Sequence, residues 1–248
     1  MKGFGIARFP GFWAGFVALC ICLTPIAAES QERAVTMQVA EAKEGASSAS
    51  DASNVVVWLS PLNHSAQNSA DEPAVAQSPQ LVQRNKSFEP HVLVVRVGTV
   101  VQFPNKDPFF HNIFSLYDGK RFDLGLYEAG TTRSVRFDRP GVSFLFCNIH
   151  AEMSAVVIAV DTPYFAISDR AGRVSIPNVP DGRYIMHVWY ERGTPESLKT
   201  LTHVVSVSES TRSLPAIRCI DNADFTLAHK NKYGQDYVPP PAPGYVQP

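Results

Sequence analysis

The chain has 248 residues, of which 45% are hydrophobic and 10% aromatic, enough for one large β domain or two small ones. Its formal net charge is -1, with 22 Lys and Arg residues against 23 Asp and Glu residues. Nucleic-acid binding usually requires a clustered basic face. The composition therefore argues against that class of function.

Residues 1–28 have the pattern of an export signal. Lys2 and Arg8 precede an apolar run over residues 12–23, and residues 25–28 resemble a small-residue cleavage zone. A membrane span needs roughly 20 apolar residues, so an uncleaved anchor is the less favoured alternative. We therefore expect a signal peptide and an exported protein, periplasmic or extracellular.

Residues 29–53 are rich in Ala, Ser and Glu and show no apolar periodicity, so we predict a flexible linker. Residues 54–161 are predicted to form one β domain, because Val-rich and aromatic runs alternate there with turn signals. We expect its first strand at 54–59 and loops at 63–80 and 122–130. About seven short strands without a convincing helix indicate an all-β Greek-key sandwich.

Two further segments follow this domain. Residues 162–215 contain about four or five short strand patterns, which predict a smaller β-sandwich packed on the first domain. Residues 216–248 are predicted to be a Pro-rich C-terminal tail that lies extended on the surface.

The cysteines allow two interpretations. Cys20 and Cys22 lie in the signal, so Cys147 and Cys219 remain. In an oxidising compartment these two are expected to form a disulfide. Alternatively, Cys147 is a metal-binding thiolate and Cys219 a lone thiol. The neighbours of Cys147 favour the second interpretation.

Cys147 opens a seven-residue segment with three potential metal donors. His150 and Met153 follow it at intervals of three residues, and His111 stands 36 positions upstream. One thiolate, two imidazoles and a weak axial thioether are the donor set of a blue-copper electron-transfer site. Zinc is the main alternative, but it prefers Cys, His and carboxylate donors. If Met153 only fills the core, a three-ligand site remains.

Residues from about 88 to 160 resemble the cupredoxins, the family of plastocyanin and amicyanin. Phe110-His111-Asn112 matches the first-ligand motif of that family, and residues 138–141 match the turn before its Cys strand. The Cys-x-x-His-x-x-Met spacing is the compact form of amicyanin-like members.

The resemblance implies one type 1 copper ion as the cofactor. The ligands that it assigns are His111, Cys147, His150 and Met153. It also implies that Asn112 ties the two ligand loops together by hydrogen bonding, a kind of contact that orients metal ligands and tunes their potential.

A second, less specific likeness concerns residues 162–215. Through residues 173–184 they are similar to carboxypeptidase regulatory-like or transthyretin-like β modules. This likeness implies an accessory or docking role without chemistry of its own.

The function predicted from these features is the transport of single electrons by Cu(I)/Cu(II) cycling, without enzymatic activity. We expect His150 to lie near the surface and a redox partner protein to dock there, against apolar residues at Phe109, Phe110, Ile149 and Ala151. No small-molecule substrate is indicated, and the sequence does not determine the oligomeric state. Two alternatives remain: a copper storage or delivery protein without redox turnover, and a structural or ligand-binding β protein.

Overall fold

Strands dominate the structure because apolar and polar residues alternate along much of the chain, which gives a strand one buried and one exposed face. The computed structural model describes residues 34–42, 51–62, 78–116, 119–222, 225–226 and 229–237. The predicted signal peptide and most of the predicted loop at 63–80 lie outside these residues. Within the described ranges the chain forms sixteen strands and one short helix, so the all-β prediction is confirmed.

The strands in chain order are β1 (Val35–Ala42), β2 (Val56–Pro61), β3 (Val82–Arg84), β4 (Ser87–Glu89), β5 (Val92–Arg96), β6 (Val100–Pro104), β7 (His111–Ser115), β8 (Phe122–Tyr127), β9 (Thr132–Arg136), β10 (Gly141–Cys147), β11 (Ser154–Val160), β12 (Phe165–Ile167), β13 (Arg173–Ile176), β14 (Gly182–Trp189), β15 (His203–Val207) and β16 (Ile217–Ile220). The helix, α1 (Pro195–Leu201), lies between β14 and β15.

One five-stranded sheet carries the predicted metal donors, in the order β5-β11-β10-β7-β8. β10 is antiparallel to both β11 and β7, and β11 runs parallel to β5. Cys147, the last residue of β10, pairs with Ile113 of β7. His111, the first residue of β7, therefore lies only two positions from the partner of Cys147.

A second layer completes this first module. It consists of the antiparallel pair β6–β9 and the short hairpin β3–β4. Buried side chains of both layers form one core, which includes Leu81, Phe88, Val101, Phe103, Ile113, Phe137, Leu145, Cys147, Met153 and Val157. Because Cys147 and Met153 belong to this core, two of the predicted donors rest on tightly packed residues.

A second module surrounds a separate core and corrects a domain prediction. Its sheets have the orders β12-β2-β14-β15 and β13-β1-β16. β2 pairs with β12 and β14, so the prediction that residues 54–59 open the copper-site domain is wrong. The Val-rich pattern predicts a strand, but packing against distant partners decides which sheet that strand joins.

β1 and β16 correct two further predictions. Residues 35–42 were predicted to be part of a flexible linker, yet β1 is the central strand between β13 and β16. Val35, Met37 and Val39 alternate inwards and are buried, a pattern that the polar residues around it obscure. β16 lies inside the region predicted to be a tail, and its Cys219 is buried in the core of the second module.

The remaining differences concern β8 and α1. β8 was predicted to be a loop, but it is the edge strand beside β7, with an irregular register between Asn112 and Phe114. α1 has a capping residue, Thr194, and a proline at its start, but its seven residues are too few for a clear helical period. Among the described residues, no helix has the length and apolarity needed to cross a membrane.

The two modules pack through the outer face of the five-stranded sheet. The shared buried cluster consists of Val56, Val92, Val94, Val156, Ile158, Val160 and Trp189. All seven residues of β11 are buried, as expected for a strand covered on both faces. Burying one Val or Ile side chain contributes about 1.5–3 kcal/mol relative to exposure. The shared cluster therefore stabilises the packing of the two modules against each other.

The cysteine question has a clear answer in the fold. Cys147 and Cys219 are both buried, and no disulfide joins them. They belong to the cores of different modules. The disulfide alternative is therefore wrong, and the sulfur of Cys147 is available to a metal ion.

Candidate metal centre

Three of the predicted donors converge at the end of the five-stranded sheet. The Sγ atom of Cys147 lies 3.6 Å from Nδ1 of His111 and 3.5 Å from Nδ1 of His150. The three donor atoms all lie within 4.8 Å of one another. Cys147 and His111 are fully buried, whereas His150 is partly exposed. One metal ion can contact all three, because metal bonds to sulfur and nitrogen of about 2.0–2.3 Å span these separations.

The ligand loop, residues 147–153, is closed by its own backbone. The N–H of Cys147 donates to the carbonyl oxygen of Met153 at 3.0 Å, and the N–H of Met153 donates to the carbonyl oxygen of His150 at 3.2 Å. These bonds return Met153 to the side of Cys147, where its side chain is buried in the same core. The role of Met153 as an axial ligand stays a prediction.

Opposing effects act on the thiol of Cys147, and together they raise its pKa above the ordinary value. Burial raises the pKa of this thiol, while backbone N–H groups of Asn112, Ile149 and His150 oppose the shift by hydrogen bonding to the sulfur. These donors come from both ligand segments, β7 and the ligand loop. A bound cation would favour the thiolate and oppose the effect of burial.

A buried carboxylate that was not predicted from the sequence fixes His111. Oδ2 of Asp107 lies 2.8 Å from Nε2 of His111, and both side chains are buried. A carboxylate only accepts hydrogen bonds, so Nε2 carries the hydrogen and Nδ1 keeps the lone pair that faces Cys147. Such a carboxylate sets the tautomer and orientation of a metal-binding histidine.

Asp107 is itself held by the turn between β3 and β4. The N–H groups of Asn85 and Lys86 donate to its carboxylate at 2.6 and 3.0 Å. Both residues have left-handed backbone angles, with φ of 53° and 57°, which aim the two N–H groups at Asp107. Burial by itself raises the pKa of Asp107, but these bonds and the one to His111 together lower it below its ordinary value. The one sequence feature that could have indicated this contact is the position of Asp107, four residues before His111.

Asn112 does not make the side-chain contact that the resemblance implied. Its Nδ2 donates to Oδ1 of Asp123 on β8 at 2.7 Å. Its buried Oδ1 has no hydrogen-bond partner among the described residues. The link from Asn112 to the ligand loop is the backbone N–H that bonds to the sulfur of Cys147.

Apolar residues adjoin His111 and His150, and their role in docking a redox partner stays a prediction. The ring of Phe109 lies 5.2 Å from that of His111 and 5.6 Å from that of His150, measured between centroids. Phe110 is 55% exposed and Ile149 is 44% exposed. Burial is the main cause that lowers the pKa of His150, which favours the neutral imidazole, the form that binds a metal.

Comparison with protein-family models and with curated protein sequences found no match. Solved structures similar to part of the chain include cupredoxins and a copper-containing enzyme. The purple cupredoxin from Nitrosopumilus maritimus is 26% identical, with a TM-score of 0.31, over 33% of this chain and 99% of that protein. The Cu-containing nitrite reductase from Thermus scotoductus SA-01 is 23% identical, with a TM-score of 0.34, over 41% of this chain and 27% of that enzyme. A mutant of amicyanin in its reduced form is 20% identical, with a TM-score of 0.32, over 35% of this chain and 86% of that protein.

These likenesses cover less than half of the chain. The interpretation of the metal centre therefore depends on the geometry of its own residues. The similarity of residues 162–215 to a carboxypeptidase regulatory-like module stays a prediction.

Part of the predicted Pro-rich tail also contacts the ligand loop. The hydroxyl of Tyr237 donates to the carbonyl oxygen of Cys147 at 2.6 Å. The backbone N–H of Lys232 donates to Oδ1 of Asn148 at 2.9 Å. The His229 ring packs on Phe146, with 4.2 Å between centroids. No local sequence pattern indicates these contacts, because the residues that they join are more than 80 positions apart.

Proposed function

We propose that this chain is an exported type 1 copper protein that carries single electrons. The observation that carries the proposal is the convergence of Cys147 Sγ with Nδ1 of His111 and Nδ1 of His150, all within 4.8 Å. When bound there, a copper ion would supply a one-electron Cu(I)/Cu(II) couple. Soft sulfur suits Cu(I), and imidazole nitrogen suits both oxidation states.

The donor set favours copper over zinc. The nearest buried carboxylate, Asp107, is already engaged by His111 and by two backbone N–H groups. It is therefore not free to be the fourth, oxygen ligand that zinc often takes. The ligand loop instead ends at Met153, whose thioether side chain is buried. A thioether is a soft donor that is typical of the axial position in blue-copper sites.

The residues around the donors are arranged to move little. Cys147 and His111 end and begin two hydrogen-bonded strands, and the ligand loop is closed by backbone bonds. Asp107 holds the ring of His111 in one tautomer and orientation. An electron carrier benefits from donors on rigid elements, because small movements between the two oxidation states keep electron transfer fast.

We propose that electrons pass at His150. It is the one donor of the three that is partly exposed. The exposed apolar residues Phe110 and Ile149 are the chain neighbours of His111 and His150, respectively. An apolar patch of this kind fits the small, transient interface of a redox partner protein. The two buried donors favour a carrier over an enzyme, because a catalytic metal needs an open coordination position for substrate.

Spectra of copper-loaded protein test the proposal. The purified chain with Cu(II) should show an intense thiolate-to-copper absorption band in the visible region, and so should Cys219→Ser. Cys147→Ser should lose that band. Cys219 is the matched control because it is a buried cysteine in the core of the other module.

The same preparation separates the alternatives. A colourless wild type, or a Cys147→Ser variant as blue as the wild type, would refute the assignment and favour a structural or ligand-binding protein. Rapid loss of copper to a chelator, together with no reversible reduction, would favour storage or delivery. An electron carrier should retain its copper and bleach reversibly on reduction.

A further inference from the structure

Lys232 connects the two segments that carry the metal donors. Its backbone N–H donates to Oδ1 of Asn148 in the ligand loop at 2.9 Å. Its Nζ lies 2.8 Å from Oδ2 of Asp123. The other carboxylate oxygen of Asp123 accepts a hydrogen bond from Asn112, the residue after His111. A continuous chain of polar contacts therefore runs from the ligand loop, through Lys232, to β7.

Tyr237 acts on the start of the ligand loop. Its hydroxyl donates to the carbonyl oxygen of Cys147 at 2.6 Å, which belongs to the peptide link between Cys147 and Asn148. Fixing this peptide restricts the backbone from which the sulfur projects. On the outer face of the sheet, the ring of His229 covers Phe146, and Nδ1 of His229 lies 3.2 Å from the hydroxyl of Tyr237.

We infer that residues 229–237, which we call the C-terminal strap, are part of the metal centre, with Lys232 and Tyr237 as positioning residues for the copper ligands. The inference deepens the proposed function and depends on it. The side chain of Asn112 does not contact the ligand loop directly, and the strap connects the two through Asp123 and Lys232.

The exposure of the Lys232–Asp123 ion pair indicates that it positions the ligand segments more than it stabilises the fold. The side chains of Lys232 and Asp123 are 22% and 38% exposed, and ion pairs at the surface contribute little to folding. Their loss should therefore leave the fold intact while it loosens the ligands. Contacts of this kind around a metal site typically change affinity about 10–100-fold when they are removed.

Conservative variants test the inference, each with a matched control. Tyr237→Phe removes one hydroxyl, and its control is Tyr184→Phe, because Tyr184 also donates to a backbone carbonyl, that of Pro180, in the other module. Lys232→Met removes one ammonium group, and its control is Lys120→Met, because Lys120 makes an ion pair of the same 2.8 Å length with Asp138.

We expect Tyr237→Phe and Lys232→Met to release copper to a chelator about tenfold faster than wild type, with a shifted absorption band and a shifted reduction potential. The two controls should match the wild type. In the metal-free protein, Tyr237→Phe should speed amide hydrogen exchange in residues 148–152 about fivefold, the factor that corresponds to one hydrogen bond.

The possible outcomes separate this inference from the proposed function. A blue wild type whose strap variants match it in release rate, spectrum, potential and loop exchange would overturn the role of the strap and leave the copper assignment standing. A wild type that binds no copper would overturn the proposed function, and with it any role of the strap at a metal. Faster release in the strap variants alone, with unchanged thermal unfolding, supports the inference.

Discussion

Asp107→Asn is the substitution that tests the metal centre through a residue outside the predicted ligand set. The carboxylate of Asp107 accepts three hydrogen bonds, from His111 Nε2 and from the N–H groups of Asn85 and Lys86. An amide has one oxygen in place of two. Whichever way it is oriented, at least one of the three donors must face an NH₂ group. One charge-assisted hydrogen bond is then replaced by a repulsive contact.

The size of the effect follows from that count. A hydrogen bond to a charged group contributes about 1.5–3 kcal/mol, so metal-free Asp107→Asn should lose about 2–3 kcal/mol in its free energy of unfolding. Copper affinity should fall about 10–100-fold, because His111 loses the carboxylate that fixes its ring. The reduction potential should rise, since removal of a negative charge near the metal disfavours Cu(II) relative to Cu(I).

Denaturant unfolding of the metal-free protein, chelator competition and a redox titration measure the three quantities. Asp138→Asn is the control, because Asp138 is an exposed carboxylate whose ion pair with Lys120 lies at the surface. If Asp107→Asn bound copper within twofold of wild type and kept its potential, Asp107 would not position His111. The reasoning about the tautomer would then be wrong.

Three other predictions follow from the structure. Nε2 of His91 lies 2.6 Å from Glu191, and Nδ1 lies 3.2 Å from the carbonyl oxygen of Ser154. Only the protonated imidazole donates to both acceptors, and chiefly the bond to Glu191 raises the pKa of His91. The pair should stabilise the fold below about pH 6.5, the pKa of histidine in the unfolded chain. This contribution should disappear as the pH rises through the raised pKa of folded His91. Urea unfolding of wild type and Glu191→Gln at several pH values measures it. Phe110→Glu should slow electron self-exchange between the Cu(I) and Cu(II) forms at least about tenfold, because two like charges would meet where two copies of the protein touch. NMR line broadening measures the self-exchange rate. Met37→Ala should cost about 2–5 kcal/mol in denaturant unfolding, because β1 is a core strand.

Each of these predictions has a control and a contradicting result. Equal pH profiles for wild type and Glu191→Gln would show that the His91 pair does not contribute. Val204→Glu changes a side chain that is also exposed, 47%, but lies on β15, and it should leave self-exchange unchanged. If it slowed exchange as much as Phe110→Glu, the docking patch would be misplaced. Gln38→Ala, on the exposed face of β1, should cost far less than Met37→Ala, and equal losses would contradict the place of β1 in the core.

Most of the candidate donors could be proposed from the sequence because their signal is local. Cys147, His150 and Met153 lie within seven residues, and the strand that leads into them has a clear alternation. Residue type and spacing therefore indicated both the fold of this segment and its chemistry. His111 required more, since only the match of Phe110-His111-Asn112 to a family motif selected it from the seven histidines of the chain.

The contacts that hold the donors were not predictable in the same way. Asp107 is held by backbone N–H groups more than 20 positions upstream, and Tyr237 meets Cys147 across 90 positions. β1 joins a sheet with β16, about 180 positions later in the chain. No local pattern encodes such pairings, because the free energy that selects them comes from packing in the finished fold.

X-ray absorption at the copper edge, recorded on the loaded protein in both oxidation states, tests the central claim most directly. The structure predicts one short copper–sulfur bond and two imidazole nitrogens, with nearly the same distances in the oxidised and reduced forms. A copper ion coordinated only by nitrogen and oxygen, with no short sulfur bond, would contradict the assignment of Cys147, His111 and His150 as the site of electron transfer.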